Sequence, residues 1–316
     1  MPSVAEHHGV KSPLPSLWKF GGLTPLKLIK LSVKKIGEDE LSTRSAALSY
    51  YFLLALFPML LFLVSLIAVV AGPGSQMRDT IIATIGRLAP GSASTLIHSV
   101  IDQTFKSSSG IKLAAGILGA LWAASGGMSA VVTSLNVIYR TPETRPWWKQ
   151  KATIIGLTLT LAALIIVALV LVLYGGKIGE FVAAQVGMGN VFAVVWKVLQ
   201  WPVSFAAMFL SFSMVYYFGP DVKERRWFWV TPGSAVGVTL WLIASVGFRV
   251  YLHFFNRYSA TYGSLGALVI LLVWLYLTGF AILVGGEVNS VIENEDKKAA
   301  ELAVKKQEIQ MQLKAA

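Results

Sequence analysis

Apolar residues in this chain come in unbroken runs and not in 3.6-residue stripes, and six of the runs reach about 20 residues. They fall at about 45–70, 113–138, 152–174, 198–218, 230–248 and 263–286. At 1.5 Å per residue each is long enough to cross about 30 Å of hydrocarbon. The run at 152–174 holds no charge at all. Pro58, Pro202 and Pro232 interrupt others, where they are expected to kink helices whose freed carbonyls find partners in neighbours. The pattern predicts an all-α polytopic membrane protein with six transmembrane helices.

Orientation follows from the connections. Lys and Arg number nineteen in the segment up to Arg44, the 139–151 and 219–229 loops and the tail, against eight in the remaining connections. The richer side is assigned to the cytoplasm, which puts both termini there. Trp147, Trp148, Trp196, Trp201, Trp227 and Trp229 lie near span ends, where an amphipathic ring prefers the interface. Three parts result: residues 1–44, a cytoplasmic N-terminal segment; 45–286, the six-helix transmembrane domain; and 287–316, a charged cytoplasmic tail. In the first, a helix starting at Thr24 and Pro25 sets Leu26, Ile29, Val33 and Ile36 on one face against Lys27, Lys30 and Lys34. That helix suits an anionic inner leaflet, or else packs on the protein's own loops. The tail lacks Gly and Pro and is expected to continue the last helix. Between spans one and two, Met77, Ile81, Ile85, Leu88, Ile97, Ile101 and Phe105 predict two short amphipathic helices. The first 13 residues are polar, and nothing in them resembles a cleavable signal.

Composition narrows the function. Hydrophobic residues make up 55% and charged residues 14%, well below the roughly 25% charged of a soluble chain. The net charge of +11 sits between the apolar runs, where it reads as a topology signal and not as a nucleic-acid surface. The absence of cysteine removes thiolate metal sites, disulfides and cysteine nucleophiles. His7, His8, His98 and His253 are scattered, and Glu38-Asp39-Glu40 reads as the charged start of a helix. No metal, cofactor or catalytic set is expected, and no phosphate-binding loop is present.

Specific strings then point to a family. Arg44-Ser45-Ala46-Ala47-Leu48-Ser49-Tyr50-Tyr51 and Ala55-Leu56-Phe57-Pro58 lie in span one. Ser134-Leu135-Asn136, Phe218-Gly219-Pro220-Asp221, Pro232-Gly233, Tyr262-Gly263-Ser264 and Gly285-Gly286-Glu287-Val288-Asn289 follow in order. Together they resemble the YihY/BrkB family of bacterial inner-membrane proteins. The resemblance implies six transmembrane helices and the bacterial inner membrane. It implies no single activity, because members have been labelled ribonuclease BN-like, virulence factors, and exporters of lipid precursors.

The residues themselves give nuclease chemistry no clustered carboxylates or histidines. An intramembrane serine protease built on Ser125 and His253 fails on depth, since Ser125 lies roughly 18 Å inside its span and His253 at the outer interface. Ser125 is better read as bonding across to a neighbour while Gly119, Ala123, Gly126, Gly127 and Ala130 pack closely. Two polar groupings remain. Arg44, Ser45, Asn136, Arg140, Glu287 and Asn289 share one level at the cytoplasmic side, with Arg44 and Glu287 expected to pair. Arg249, His253 and Arg257, every four residues, form a basic stripe for an anionic head group at the outer leaflet, or simply snorkel. The expected role, without enzymatic activity, is transport of an anionic or amphipathic envelope lipid or precursor, directly or as a subunit. The rival is a scaffold whose polar clusters only hold helices together. A polar cavity reaching mid-membrane favours the first, a closed bundle the second. Membrane lipids are the expected partners and nucleic acid is not; oligomeric state leaves no sequence signal.

Overall fold

The computed structural model describes residues 17–71, 110–186, 189–223, 227–254 and 258–315, and every regular element among them is helical. A short 3-10 helix, Leu17–Gly22, precedes α1 (Pro25–Glu38) and α2 (Leu41–Ala71). The chain continues as α3 (Gly110–Ile138), α4 (Trp147–Val186), α5 (Gly189–Phe218), α6 (Pro232–Phe254) and α7 (Tyr258–Ala315). Among the described residues five stretches are long and apolar enough to cross a membrane: Ala115–Ile138, Trp147–Ala168, Val195–Phe218, Pro232–His253 and Leu268–Lys314. The helix α2 covers the remaining expected run at 45–70. The two short helices expected between spans one and two lie outside the described residues.

Local chemistry sets the helix limits. Thr24 caps α1, its hydroxyl accepting from the Lys27 amide at 3.4 Å, and Pro25 fills the first turn, where a missing N–H costs nothing. The same logic revises the expectation at Pro232. It does not interrupt a span but starts α6, behind a Thr231 cap whose hydroxyl accepts from the Ser234 amide at 2.9 Å. Pro58 and Pro202 lie inside α2 and α5, which run on as single helices. The tail does continue the last helix: α7 spans 58 residues without a break, and its final turns are exposed.

Helices pack as α2 with α3, α4 with α5 and α6 with α7, and α2 also lies along α7. Leu41, Leu48, Leu135, Ile138, Tyr216 and Leu283 form the main core, toward the end of the bundle that carries Glu287. A second cluster seats Leu17 and Leu28 on Val288, Val291 and Ile292 of α7. Outward faces stay apolar, with Leu118, Ile165, Val198, Ile243 and Val246 at least half exposed, as lipid contact requires. In α1 three of the expected stripe, Leu26, Ile29 and Val33, also point out, while Ile36 packs against the main core and Leu28 and Ser32 are buried.

Close approach is confined to a few glycines. A Cβ on Gly127 would meet Phe52 and Ala55 of α2 at 3.2 Å, whereas Gly119 and Gly126 have open space, so of the glycines in the small-residue seam expected along α3 one makes a close contact. The tightest crossing is between α6 and α7. There a Cβ on Gly233 would run into the Gly285 carbonyl and the Asn289 amide, and one on Gly285 into the Tyr216 hydroxyl. Gly233→Ala is expected to lower stability by about 1–3 kcal/mol, since the obstacle is backbone. Gly156→Ala, with nothing within 4 Å, should be neutral or slightly stabilising. Thermal unfolding midpoints of the two variants in lipid nanodiscs check this; equal midpoints would contradict the crossing.

Candidate functional site

Five helices bring polar side chains to the Glu287 end of the bundle, and they do so as three separate networks. In the first, Asn289 of α7 is 1% exposed and bridges to α6. Its Oδ1 accepts from the Gly233 amide at 2.8 Å and its Nδ2 donates to the Thr231 hydroxyl at 2.9 Å. One residue further, the Ser290 hydroxyl donates to the Ile138 carbonyl at the end of α3, at 2.8 Å. Tyr216 of α5 donates to the Ile282 carbonyl, also at 2.8 Å.

The second network sits in the connection after α3. Asn136 donates to Glu143 Oε2 at 2.9 Å and accepts from the Asp221 amide at 2.7 Å, tying two loops 85 residues apart. Arg145 grips both Glu143 oxygens at 2.6 and 2.7 Å and gives its remaining donors to the Gly219 and Phe218 carbonyls at the end of α5. Thr144 completes the loop by donating twice to Asp221 Oδ2. The hydrogen bond from Arg145 holds the Glu143 carboxyl below its ordinary range against the cost of partial burial, and Glu143 in turn raises Arg145.

The third network surrounds Glu287, which is 1% exposed. Asp39, Lys35 and Arg140 lie within electrostatic range of its carboxyl. Arg140 approaches Asp39 Oδ1 and Glu38 Oε2 at 3.9 Å each, and Lys35 bonds Glu38 at 2.5 Å. The expected Arg44–Glu287 pair does not form: Arg44 donates its Nε to the Asp39 carbonyl at 2.9 Å, stabilising the turn from α1 into α2. Ser45 bonds within its own helix, to the Leu41 carbonyl at 2.6 Å. Glu38-Asp39-Glu40 also reads differently in the fold, as the C-terminus of α1, its cap and a left-handed turn residue with φ 51°.

The six residues grouped from sequence therefore share one end of the bundle but divide among these networks. Asp39, Glu143, Arg145, Asp221, Thr231 and Ser290 were missed. Asp221 belongs to the Phe218-Gly219-Pro220-Asp221 string and Asp39 to the acidic triplet read as a helix start; the others carried only the signal of polar residues bordering apolar runs. Ser125 does bond across to a neighbour, accepting from Lys151 of α4 at 2.7 Å while donating to the Trp122 carbonyl. Lys151 lies 4.0 Å over the Trp122 ring, which makes the contact an α3–α4 clasp.

At the other end of α6, Arg249 and His253 are both exposed; Arg257 lies outside the described residues. At the same height a cavity of about 400 Å³ separates α6 from α7. Ala244, Gly247, Phe248, Tyr251 and Leu252 face Val269, Ile270, Val273 and Leu277 across it. Its walls are apolar, unlike the polar mid-membrane cavity expected of a transporter. Tyr251, Val269 and Val273 are between two-fifths and half exposed, so the cavity opens on the outer surface of the bundle. At 100° per residue Arg249 lies about 130° around α6 from the middle of the cavity wall, and the basic stripe does not line it.

A family model described as Virulence factor BrkB matches residues 32–310. A Bacillus subtilis protein, YfkH, whose name carries the words ribonuclease-like, is 39% identical over 258 residues, covering 82% of this chain and 92% of its own. A UPF0761 membrane protein of Aeromonas salmonicida is 27% identical over 83% of this chain and 88% of its own. No solved structure matches the chain.

Acid should undo the second network first. Because the folded Glu143 titrates below its ordinary 4.5, its contribution is complete above that value and is lost as pH falls through the folded one. Unfolding midpoints measured from roughly pH 6 down to pH 3 should fall for wild type and fall less for Glu143→Gln. Asn136→Ala, which removes the acceptor of the Asp221 amide and one of three donors to Glu143 Oε2, should cost about 1–3 kcal/mol.

Proposed function

The chain belongs to the virulence factor BrkB family, and we propose that it is a six-span inner-membrane transporter, or the membrane subunit of one, for an anionic or amphipathic envelope lipid or precursor. The observation that carries the reading is the apolar cavity between α6 and α7, which answers to the acyl part of such a substrate and not to the polar mid-membrane pathway expected from the sequence. About 400 Å³ walled, among the described residues, mainly by Val, Ile, Leu, Phe and Tyr suits an acyl chain better than a hydrophilic solute. In this reading both termini are cytoplasmic, as the Lys and Arg bias supports, and the outward Leu26, Ile29 and Val33 of α1 meet an anionic inner leaflet beside Lys27, Lys30 and Lys34. Arg249 and His253 offer charge to a head group on the face of α6 turned away from the cavity, with Arg257 the next basic residue of the sequence stripe. No enzymatic step is assigned: Ser125 is held by Lys151 and a backbone carbonyl inside a helix, with no free amide pair beside it to receive an oxyanion.

The bonded, closely packed Glu287 end favours a second reading, a scaffold that holds envelope proteins without moving lipid. Occupancy of the cavity separates the two. Gly247 lines it and has open space where a Cβ would go, so Gly247→Phe fills the cavity without straining the helix contact. Purified in native lipid, that variant is expected to retain several-fold less lipid by mass spectrometry than wild type, at equal thermal stability; equal retention would favour the scaffold. The triple variant Arg249→Gln, His253→Gln, Arg257→Gln should lose selectively the anionic lipids. Topology is checked independently. Reporter fusions after Lys149, Arg226 and Ala316 should report cytoplasm and fusions near Ser92, Gly187 and Tyr258 periplasm, and a periplasmic C-terminus would overturn the six-span arrangement.

A further inference from the structure

Glu287 has no cationic partner bonded to it, and its Oε2 is buried without any hydrogen-bond donor. Asp39 is in the same position: its side chain is 12% exposed, and its buried Oδ2 also lacks a donor. Both orphaned oxygens lie where the end of α1 packs on α7, and Asp39 acts on Glu287 as a like charge. Ionised carboxylates are acceptors only, so neither can satisfy the other while both are charged. Side by side in a water-poor site they repel.

The surrounding charges do not relieve this. From α1, Lys35 is engaged by Glu38 at 2.5 Å, and Lys34 is directed at Glu38 as well, at 3.5 Å. Beyond the end of α3, Arg140 stands 3.9 Å from Asp39 Oδ1, more than half exposed and shared with Glu38. From α2, Arg44 gives its Nε to the Asp39 backbone. Each cation makes the potential of the site less negative, yet none donates to either orphaned oxygen. A single proton does what they do not: it turns two facing acceptors into a donor and an acceptor and removes one of two like charges.

We propose that Asp39 and Glu287 share one proton and form a proton-binding site that joins the α1–α2 turn to α7. Its occupancy is coupled to the packing of this end of the bundle, because deprotonation would put two negative charges between elements otherwise held by apolar contacts such as Leu41 with Leu283. The site concerns the pair itself and stands whether or not the chain moves lipid.

Infrared spectroscopy of the full chain in lipid nanodiscs tests it. At about neutral pH the wild type is expected to show a deuterium-sensitive C=O stretch of one protonated carboxyl, lost in both Glu287→Gln and Asp39→Asn. If the band survives in Asp39→Asn, burial alone protonates Glu287 and the sharing is wrong. If Glu287→Gln removes no band, both groups are ionised and the proposal falls, including the case in which a monovalent cation holds them. A second readout uses the wild type alone, in case a variant does not fold. A proton held more tightly by the folded pair than by the separated carboxyls supports the fold at low pH and is given up as pH rises. The unfolding midpoint should therefore decline between roughly pH 6 and pH 9, and a flat or rising midpoint would overturn the shared proton.

Discussion

Helix ends are the costliest feature of a membrane bundle, because the last carbonyls and first amides of each helix lack partners inside it and lipid supplies none. At the Glu287 end this requirement places nearly every polar side chain. Ser290 takes the Ile138 carbonyl of α3, Arg145 takes the Phe218 and Gly219 carbonyls of α5, Arg44 takes the Asp39 carbonyl after α1, and Asn289 takes the Gly233 amide of α6. Three of these four partners reach across tens of residues of sequence. The packing of the helices and the satisfaction of their ends are therefore one problem, solved once, and the core of Leu135, Tyr216 and Leu283 forms where the solution brings the chains together.

The same requirement explains what the sequence disclosed. Spans were legible because a run of 20 apolar residues has one reading, and the start at Thr24-Pro25 because cap chemistry is local. The strings Ser134-Leu135-Asn136, Phe218-Gly219-Pro220-Asp221, Pro232-Gly233 and Gly285-Gly286-Glu287-Val288-Asn289 proved to be parts of one place. Asn136 meets the Asp221 amide, Gly233 meets Asn289, and Gly286 lies against Leu135. What was not legible was the choice of partners. Arg44 and Glu287 share a level and carry opposite charges, but level does not fix azimuth. The nearer claim on Arg44 is the orphan carbonyl five residues earlier. Asp39 was hidden for a related reason: within an acidic triplet one residue looks like another until the turn directs a single carboxyl inward. The cavity was hidden as well, since Ala244 and Gly247 read as ordinary small residues of a span.

Small residues on α6 in fact have opposite outcomes along its length, and what stands across from them decides which. At Gly233 the opposing surface is backbone, the Gly285 carbonyl, with Asn289 beside it, so the missing side chain is filled by direct contact. At Ala244 and Gly247 the opposing residues are Val269, Ile270 and Val273, whose branched side chains stop short, and about 400 Å³ is left between the helices. Since α7 is one unbroken helix through both regions, Val273 and Glu287 are about 21 Å apart along a single rigid element. No break in the helix separates the α1–α2 turn contact from the wall of the cavity. That places the buried carboxyl pair and the acyl-sized space on the same mechanical part, with the Gly233–Gly285 crossing as the fixed point between them.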